Sequence, residues 1–343
     1  MKGRVLLGIS GGVDSTYAAH ALREAGYEVE GAVLKMHEYT ELAEAADSAR
    51  SLGIPLRVID ATERFSRTVI EDFCRAYQNA LTPNPCIVCN ENVKFRLLYE
   101  EARGEGFDFI ATGHYARIGE QNGRYALETA RDVSKDQTYM LYRLPQEILK
   151  MLLLPLGEYM KKDVSAKAAS MSLAAAERAE SQEICFVKGE SYADYIERRC
   201  GAFSKGSFVD EEGRVLGTHN GIPRYTLGQR KGLGISASSR LFVKDMCVES
   251  GNIILSDRMP LTAEFLMDGA VFSGMSEEEV LAADDLLAKV RYQAFPVPAR
   301  IIRAENGFRV RLAEEARFVT PGQSAVFYQK GRVVCGGIIQ KRF

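Results

Sequence analysis

Tryptophan is absent from the sequence, histidine occurs only four times, and neither sign of charge dominates. No apolar run approaches the roughly 18 residues that a membrane-crossing helix needs. The first four residues lead directly into a strand pattern and not into the apolar core of a signal peptide. We therefore predict a cytoplasmic protein without membrane segments.

The charge balance limits how the chain can attract nucleic acid. It has 44 Lys and Arg against 46 Asp and Glu, a formal net charge of -2. No global basic field follows from this, so a polyanion site must come from local patches. Two such patches are "RYTLGQRKGLG", which contains Arg224, Arg230 and Lys231, and the terminal Lys341-Arg342-Phe343.

Length and patterning predict several domains. A chain of 343 residues exceeds one ordinary core, and domain sizes of roughly 100 to 200 residues predict two or three. Up to about residue 115, strand-length apolar runs at 5–9, 29–34, 56–59 and 109–112 alternate with helix-like stretches, among them 15–25 and 63–80. This order predicts a doubly wound parallel α/β sheet, in which ligands bind beyond the carboxyl ends of the strands.

The pattern changes twice further along the chain. Residues 145–200 have a helical pattern, with Ala-rich stretches between 162 and 178 and a polar break at 180–183. From about residue 204 short segments are punctuated by glycine, as in hairpins and loops. After about residue 262 alternating runs predict an antiparallel barrel or sandwich.

The stretch "GISGGVDSTYA" lies at the first strand-to-helix junction. Glycines leave space for an anion, and the backbone amides and the helix N-terminus behind them favour one. The turn lacks the lysine of a Walker loop and the spacing of a dinucleotide site. Ser10 to Ser15 resemble the S-G-G-x-D-S signature of ATP pyrophosphatases, which implies that the loop holds pyrophosphate and that Asp14 helps to hold Mg²⁺. The alternative is a tight turn before a capped helix.

The seven cysteines have unequal contexts. An odd number without a secretory signal predicts reduced thiols. In "TPNPCIVCNENVKF", Cys86 and Cys89 precede a helix-like stretch, and a helix N-terminus together with Lys94 predicts a lowered thiol pKa. Cys185 follows a polar loop in "ESQEICFV". The other four are predicted to be packed small hydrophobes, namely Cys74, Cys200, Cys247 and Cys335.

Three kinds of site compete for the C-x-x-C pair. A thioredoxin-like motif would need a matching fold opening, and a zinc site would need a second ligand pair that the sequence lacks. Three cysteines around one site suit sulfur chemistry better. They can act as thiolates that handle a persulfide or as three ligands of an iron-sulfur cluster with one open iron.

Eight segments in order resemble the tRNA-specific 2-thiouridylases. They are "GISGGVDS", "TPNPCIVCNENVKF", "ATGHYAR", "SKDQTYMLY", "ESQEICFV", "TLGQRKGLG", "VRYQ" and "TPGQSAVFY". The resemblance implies an ATP-pyrophosphatase domain of the adenine nucleotide α-hydrolase-like type over 1–197, a small tRNA-contacting domain over 198–262, and a β-barrel over 263–343. It implies ATP- and Mg²⁺-dependent transfer of sulfur to C2 of the wobble uridine, giving 2-thiouridine, AMP and pyrophosphate.

The resemblance also implies roles for individual residues. Cys89 takes the position of the first catalytic cysteine and Cys185 that of the persulfide carrier. ATP contacts are implied for Gly8, Ile9, Ser10, Gly11, Gly12, Val13, Asp14, Ser15, Leu34 and Gly113. Asn84, Pro85 and the following Cys86 fall at the target base. Contacts with tRNA are implied for His114, Lys135, Asp136, Gln137, Arg291, Tyr292 and Gln323.

Partners follow from the same resemblance. The substrates are tRNAs with Lys, Glu or Gln type anticodons, and sulfur comes from a donor such as a cysteine desulfurase or a sulfur-relay protein. Two other functions remain open on the residues alone: an amidating synthetase that adenylates a small acceptor, and an RNA-binding protein of this fold without activity. A metal-free redox protein is a third alternative.

Two departures from the family pattern matter. Many relatives have aspartate where this chain has Cys86, and a thiol is a weaker base but a better soft-metal ligand. This substitution favours a [4Fe-4S] cluster on Cys86, Cys89 and Cys185, whose absorption after anaerobic reconstitution Cys86→Ala should weaken. The segment after Met36 is also shorter than in many relatives, which leaves its contacts undetermined.

Overall fold

The structure is a computed structural model that describes residues 2–171, 184–237 and 239–343. None of the helices in these ranges combines the length and the apolar character that crossing a bilayer requires. The predicted polar break at 180–183 lies outside the described residues, as do residues 172–179 of the predicted helical stretch.

The first domain contains the predicted parallel sheet. Five strands lie in the order β3-β2-β1-β4-β7, and all of their pairings are parallel. Their bounds are β1 Arg4–Gly8, β2 Glu28–Lys35, β3 Leu56–Asp60, β4 Phe109–Thr112 and β7 Leu152–Leu153. Gly8 at the end of β1 lies opposite Ala32 and Thr112, so the carboxyl ends of three strands meet at one edge.

Helices cover both faces of this sheet. They are α1 Val13–Glu24, α2 Leu42–Leu52, α3 Thr62–Phe65, α4 Glu71–Gln78, α5 Pro85–Cys89, α6 Phe95–Gly104, α7 Thr138–Leu141, α8 Gln146–Met151, α9 Lys161–Ser170 and α10 Tyr192–Cys200. Along β1, Leu6 packs in one core with α6, and Val5 and Leu7 pack in another with α1. Alternate strand residues point to opposite faces, and here both faces are apolar because both are covered.

Two of the helical stretches contain a π-helical turn. Ser66–Ile70 joins α3 to α4, and Asn90–Lys94 joins α5 to α6 directly after the C-x-x-C pair. Each turn shifts the faces of the helix that follows it, and such turns are frequent at functional sites. The predicted helix over 63–80 is therefore present with an internal π turn.

The central domain is a four-stranded sheet in the order β10-β11-β8-β9. Its strands are β8 Gly206–Val209, β9 Val215–His219, β10 Phe242–Cys247 and β11 Asn252–Ser256. Phe208, Val243 and Ile253 are buried at its centre, which explains how a short, glycine-rich segment forms a core of its own.

The C-terminal domain is a closed six-stranded antiparallel barrel. The strands are β12 Leu261–Phe272, β13 Leu286–Lys289, β14 Val297–Arg303, β15 Phe308–Arg317, β16 Ser324–Gln329 and β17 Arg332–Arg342, with α11 Glu277–Ala282 between the first two. Because β12 pairs with both β15 and β17, the sheet closes, which settles the choice between barrel and sandwich.

A hairpin of the first domain extends the barrel sheet, which the sequence did not predict. It consists of β5 Arg117–Gln121 and β6 Arg124–Glu128. Arg332 on β17 pairs with Glu128, and its side chain also donates to the Arg124 carbonyl at 2.9 Å. The pairing joins residues about 200 positions apart in the chain, so no local pattern could indicate it.

The barrel packs tightly against α7 and the residue after it. The hydroxyl of Tyr139 donates to the carbonyl of Ser324 at 2.8 Å, and the Tyr142 hydroxyl lies 3.1 Å from the Ser324 hydroxyl. Thr138 and Tyr328 form a further hydroxyl pair at 3.1 Å. All five side chains are buried, so the first and third domains share a polar, fully packed interface.

Candidate active site

The loop between β1 and α1 has the features of an anion site. Gly11 has a φ of +85°, and a Cβ there would lie 2.7 Å from Glu44. The hydroxyls of Ser10 and Ser15 lie 3.2 Å apart, and Ser15 also donates to the Gly12 carbonyl. No side chain caps α1 at Gly12. Among the described residues, no side chain accepts a hydrogen bond from the amides of the first turn of α1, which fits a bound phosphate group.

The other two predicted ATP positions flank this loop. Gly113 follows β4, and a Cβ there would lie 2.8 Å from the peptide that joins Asp14 to Ser15. Only glycine lets the end of β4 approach the first turn of α1 so closely. Leu34 is buried near the end of β2, in the core that also contains Cys89.

The carboxylate predicted to hold Mg²⁺ is paired with a lysine. The ammonium of Lys161 lies 2.8 and 2.6 Å from the two carboxylate oxygens of Asp14, and the Tyr115 hydroxyl donates to one of them at 2.8 Å. The backbone N–H of Lys161 in turn donates to Asp132 at 2.9 Å. Carboxylate oxygens suit Mg²⁺, so Asp14 fits that role once Lys161 moves away.

Sequence reasoning missed both partners of Asp14. Tyr115 lies within the segment "ATGHYAR", two residues after Gly113. Its closeness in sequence to a predicted ATP position was therefore a signal that it could lie near Asp14. Lys161 is 147 residues from Asp14, and no spacing rule connects the two. The helix α9 places it there, because α9 packs in the same core as α1.

The three predicted cysteines occupy one neighbourhood. Cys86 is exposed on the first turn of α5, Cys89 is buried at its last residue, and Cys185 is exposed on the segment before α10. The charges of Cys86 and Cys185 each act on the pKa of Cys89, and Cys86 acts on that of Cys185. The π turn places Lys94 beside them, and its positive charge opposes the other effects by favouring a lower pKa at each of the three thiols.

The expected lowering of the thiol pKa is wrong in this structure. Burial raises the pKa of Cys89 to about 12, and desolvation by the surrounding protein is also the largest effect at Cys86 and Cys185, where it raises the pKa although both residues reach the surface. α5 has five residues, and the Asn84 side chain already accepts the Cys86 N–H at 3.2 Å. Desolvation therefore outweighs the helix N-terminus and Lys94, and the cysteines are neutral thiols at pH 7.

The donor geometry does not match the predicted cluster. Across the part of the chain that the structure describes, no three Cys, His, Asp or Glu side chains are placed to hold a metal ion. Cys86, Cys89 and Cys185 lie near one another without forming such a set. As arranged, they do not fit an iron-sulfur cluster, and the cluster stays a prediction.

His114 lies between the loop and the thiols. Its Nδ1 is 2.8 Å from the Thr112 hydroxyl, and its ring centre is 5.5 Å from that of Phe95. Burial is the main cause, and Lys94 the second, of a pKa well below the usual value. His114 is therefore a neutral imidazole at pH 7, which can donate a hydrogen bond from one ring nitrogen and accept one at the other.

The segment 135–137 is held by its own side chains. Asp136 is buried and accepts hydrogen bonds from the Ala130 N–H at 3.0 Å and the Thr138 hydroxyl at 2.5 Å. The Gln137 side chain accepts from the Tyr115 N–H at 2.8 Å. These contacts fix the backbone that follows Lys135, and the predicted contacts of all three residues with tRNA stay predictions.

Gln323 fixes the segment that precedes the cysteines. Its buried side-chain amide donates to the carbonyls of Thr82 and Pro83 at 2.8 and 3.4 Å. The Thr82 N–H donates to the Pro321 carbonyl at 2.9 Å. A loop of the barrel thus positions Asn84, whose side chain caps α5.

The other two barrel positions predicted to contact tRNA lie close to this interface. The Tyr292 ring is 6.1 Å from that of Tyr139, and the guanidinium of Arg291 lies 5.5 Å from the Phe318 ring. The loop after β13 therefore lies beside α7, next to the segment 135–137.

One predicted basic patch is partly engaged inside the protein. Arg224 forms ion pairs with Asp194 and Glu197 on α10, so it holds the central domain to that helix and does not extend the patch. Arg230 and Lys231 are exposed. In the terminal patch, the Arg342 guanidinium donates to the Lys244 carbonyl.

Replacing Gly322 by alanine should loosen the segment before the cysteines. Gly322 has a φ of +89°, and a Cβ there would lie 2.8 Å from the Thr82 nitrogen. Overpacking of this kind costs about 1–3 kcal/mol, so we expect amide exchange in residues 81–89 to become roughly tenfold faster or more. Hydrogen exchange with mass spectrometry measures this.

Gly331→Ala is the matched control. Gly331 has a φ of +78°, and its nearest neighbour is the Thr129 hydroxyl at 3.6 Å from an added Cβ. It carries the same backbone strain without the clash. Equal exchange in residues 81–89 for both variants would contradict the role given to the Gly322 contact.

Lys94→Gln should shift cysteine reactivity to higher pH. Lys94 lowers the pKa of Cys86, so its removal raises that pKa further, and the thiolate fraction at any given pH falls. We expect the pH profile of Cys86 alkylation by iodoacetamide, followed by mass spectrometry, to move upward. Lys94→Arg retains the charge and should leave the profile in place; a profile unaffected by Lys94→Gln would refute the role of this charge.

Family models match nearly the whole chain. A model described as a tRNA methyl transferase HUP domain matches residues 3–189, a tRNA methyl transferase PRC-barrel domain matches 193–257, and an aminomethyltransferase beta-barrel domain matches 271–339. These three matches follow the α/β domain, the central sheet and the barrel of the structure.

Full-length relatives carry one name. The chain is 41% identical to the tRNA-specific 2-thiouridylase MnmA of Clostridioides difficile over 99% of both chains. It is 43% identical to that of a Roseiflexus species, with 97% of this chain and 98% of the relative covered. A solved 4-thiouridine synthetase–RNA complex with bound ATP aligns with 57% of this chain and 50% of that one at 16% identity and a TM-score of 0.38, too distant to carry an inference.

Proposed function

The chain belongs to the tRNA-specific 2-thiouridylase family, and from this premise we propose that it replaces O2 of the wobble uridine, U34, with sulfur in an ATP-dependent reaction. The products are 2-thiouridine, AMP and pyrophosphate. Asp14 and the loop around it serve the activation of the uridine, and Cys185 and Cys89 serve the transfer of sulfur. The protein is a cytoplasmic enzyme that takes its sulfur from a donor such as a cysteine desulfurase or a sulfur-relay protein.

One observation carries this proposal: two short connections join the anion loop to the thiols. Leu34 at the end of β2 is two residues from Met36, whose Sδ lies 3.7 Å from Cys89 Sγ. Gly113, which packs on the first turn of α1, is followed by His114, and Lys94 acts on both His114 and the cysteines. A base held between these groups would meet both halves of the chemistry.

Activation is the task of the loop. C2 of uridine lies between two nitrogens and is a poor electrophile until O2 is adenylated, which turns that oxygen into part of a leaving AMP. The amides of the first turn of α1 are placed to hold phosphate oxygens. Mg²⁺, when bound, neutralises charge on the departing pyrophosphate. Asp14 would hold it, and Lys161, released from Asp14, would lie close enough to pair with the same phosphates.

Sulfur transfer is the task of Cys185 and Cys89. The terminal sulfur of a Cys185 persulfide attacks C2, and the C2–O2 bond breaks as AMP leaves. The Cys89 sulfur then attacks Cys185 Sγ, and the pair of electrons in the broken S–S bond stays on the new 2-thio group. A Cys89–Cys185 disulfide remains, which an external dithiol reduces. The exposed position of Cys185 suits loading by a donor protein.

The wobble position suits this site energetically. The base lies in a single-stranded loop, so turning it out costs less than the few kcal/mol needed to open a paired base. Asn84, Pro85 and Cys86 lie at the mouth of the thiol site and form the proposed contacts with that base. The anticodon set of Lys, Glu and Gln tRNAs stays a prediction from the family.

The central test separates activation from sulfur transfer. Cys89→Ser and Cys185→Ser should abolish wobble thiolation, measured by nucleoside analysis of the product tRNA. Both variants should still release pyrophosphate when given tRNA and ATP, because the loop is intact. A protein that forms no 2-thiouridine but keeps an ATP-dependent activity unaffected by both changes would be an amidating synthetase, and tRNA binding without any pyrophosphate release would indicate an RNA-binding protein without activity.

Lys161→Gln tests the proposed role of this lysine in activation. Loss of a charged group that acts on the leaving pyrophosphate lowers rates by about 100-fold or more, and we expect that loss in tRNA-dependent pyrophosphate release. Lys162→Gln is the matched control, since Lys162 is the exposed next residue on the same helix. Equal rates for the two variants would exclude a role of Lys161 in activation.

A further inference from the structure

A polar cleft lies between the helices of the first domain and the barrel, on the side of α5 that bears Ile87 and Val88. Its volume is about 440 Å³, within the range of small-ligand sites in proteins. Gly322 and Ser324 of the barrel line its far wall. No residue predicted for ATP lines the cleft, so it is separate from the anion loop.

Three arginines from three elements line this cleft. Arg67 comes from the π turn before α4, Arg75 from α4, and Arg143 from the residues after α7. Among the described residues, Asp72 is the one carboxylate that lines it. Each arginine nevertheless has an acidic partner, Arg67 in Glu63, Arg75 in Asp72 and Arg143 in Glu91. Arginines gathered at one cleft can bind a polyanion when they exchange these partners for phosphate groups.

Two of the arginines can exchange their partners at little cost. Arg67 pairs with Glu63 at 2.9 Å and Arg75 with Asp72 at 2.7 Å. Both arginine side chains are more than 70% exposed. Exposed pairs of this kind are worth about 0.2–1 kcal/mol, whereas a phosphate offers a stronger, bidentate partner. Arg143 lies deeper, and its Nε is 3.0 Å from a carboxylate oxygen of Glu91.

The cleft adjoins the place of the target base. Asn84 and Pro83 line it, and Asn84 caps the helix α5 that carries Cys86 and Cys89. Ile87 and Val88 line the cleft from the face of this helix opposite to Cys86 and Cys89, so the width of one helix, about 10 Å, separates the cleft from the thiols. In a single strand, a nucleotide next to a base at the thiols would therefore reach this cleft.

We propose that the cleft binds the ribonucleotide that adjoins the target uridine in the single-stranded loop. Arg67 and Arg75 hold its phosphate, and Val88, which is partly exposed whereas Ile87 is buried, packs against its sugar and base. This inference rests on the proposed function, because it takes RNA as the substrate. It adds a subsite that grips the strand beside the reacting base and so helps to hold that base at Cys86 and Cys89.

Charge-neutralising variants test the subsite against a closely matched control. Arg67→Gln and Arg75→Gln remove the proposed phosphate contacts. Arg50→Gln on α2 is the control, because Arg50 pairs with Asp47 at the same i,i+3 spacing, at the same 2.7 Å, and with a similar exposure of 77% against 71% for Arg75. All three side chains are exposed, so folding should be unaffected, which thermal unfolding verifies.

Affinity for unmodified substrate tRNA is measured by fluorescence anisotropy over a range of KCl concentrations. We expect Arg67→Gln and Arg75→Gln each to weaken binding about 5- to 10-fold and to reduce the slope of log K against log salt by roughly 0.7, the value for one phosphate of a single strand. Arg50→Gln should match the wild type. In thiolation assays KM for tRNA should rise and kcat should change little.

Other outcomes separate the two proposals. Wild-type thiolation together with equal tRNA affinity of all three variants would overturn the subsite and leave the proposed function intact. Absence of thiolation by the wild type would instead overturn the proposed function. Unchanged tRNA affinity with slower sulfur loading from the donor would make the cleft a protein-docking surface, and a changed affinity for AMP alone would make it a mononucleotide site; either result overturns the subsite.

Discussion

The parallel pairing of β1 with β2 and β4 is the constraint on which the site depends. It brings the ends of three strands to one edge, where Gly8 leads into the anion loop, Leu34 precedes Met36, and Gly113 lies against the first turn of α1. Antiparallel neighbours would have placed these residues at opposite edges. Met36, which follows β2 at this edge, contacts Cys89 there.

The barrel is part of the site, not an appendage. Gln323 holds the carbonyls of Thr82 and Pro83, and these residues lead into the cap of α5. The hydrogen bond from the Tyr139 hydroxyl to the Ser324 carbonyl fixes the position of the barrel relative to α7. Residues about 240 positions apart in the sequence are thereby in contact. The position of the cysteines therefore depends on the barrel, a domain that contributes no thiol to the chemistry.

Sequence reasoning succeeded where the signal is contiguous. The loop from Ser10 to Ser15 and the alternation of strands and helices are local patterns, and they predict the α/β domain correctly. The pairing of Lys161 with Asp14 and the extension of the barrel by β5 and β6 depend on tertiary packing, which no spacing encodes. The predicted direction of the shift in the cysteine pKa was wrong. A helix N-terminus, which lowers the pKa, can be predicted from sequence, whereas the burial of Cys89, which raises it, cannot.

Both reactive centres are held inert in this structure, each by a different force. Asp14 is neutralised by Lys161, and the Cys89 thiol is kept protonated by burial. A metal ion with phosphates competes for Asp14 and at the same time offers Lys161 a new partner, so the first centre responds to nucleotide. Cys86 and Cys185 are exposed, so a persulfide donor and an RNA base can reach them from outside. Because the two restraints are released by different partners, neither ATP nor sulfur alone would place the site in its reactive arrangement.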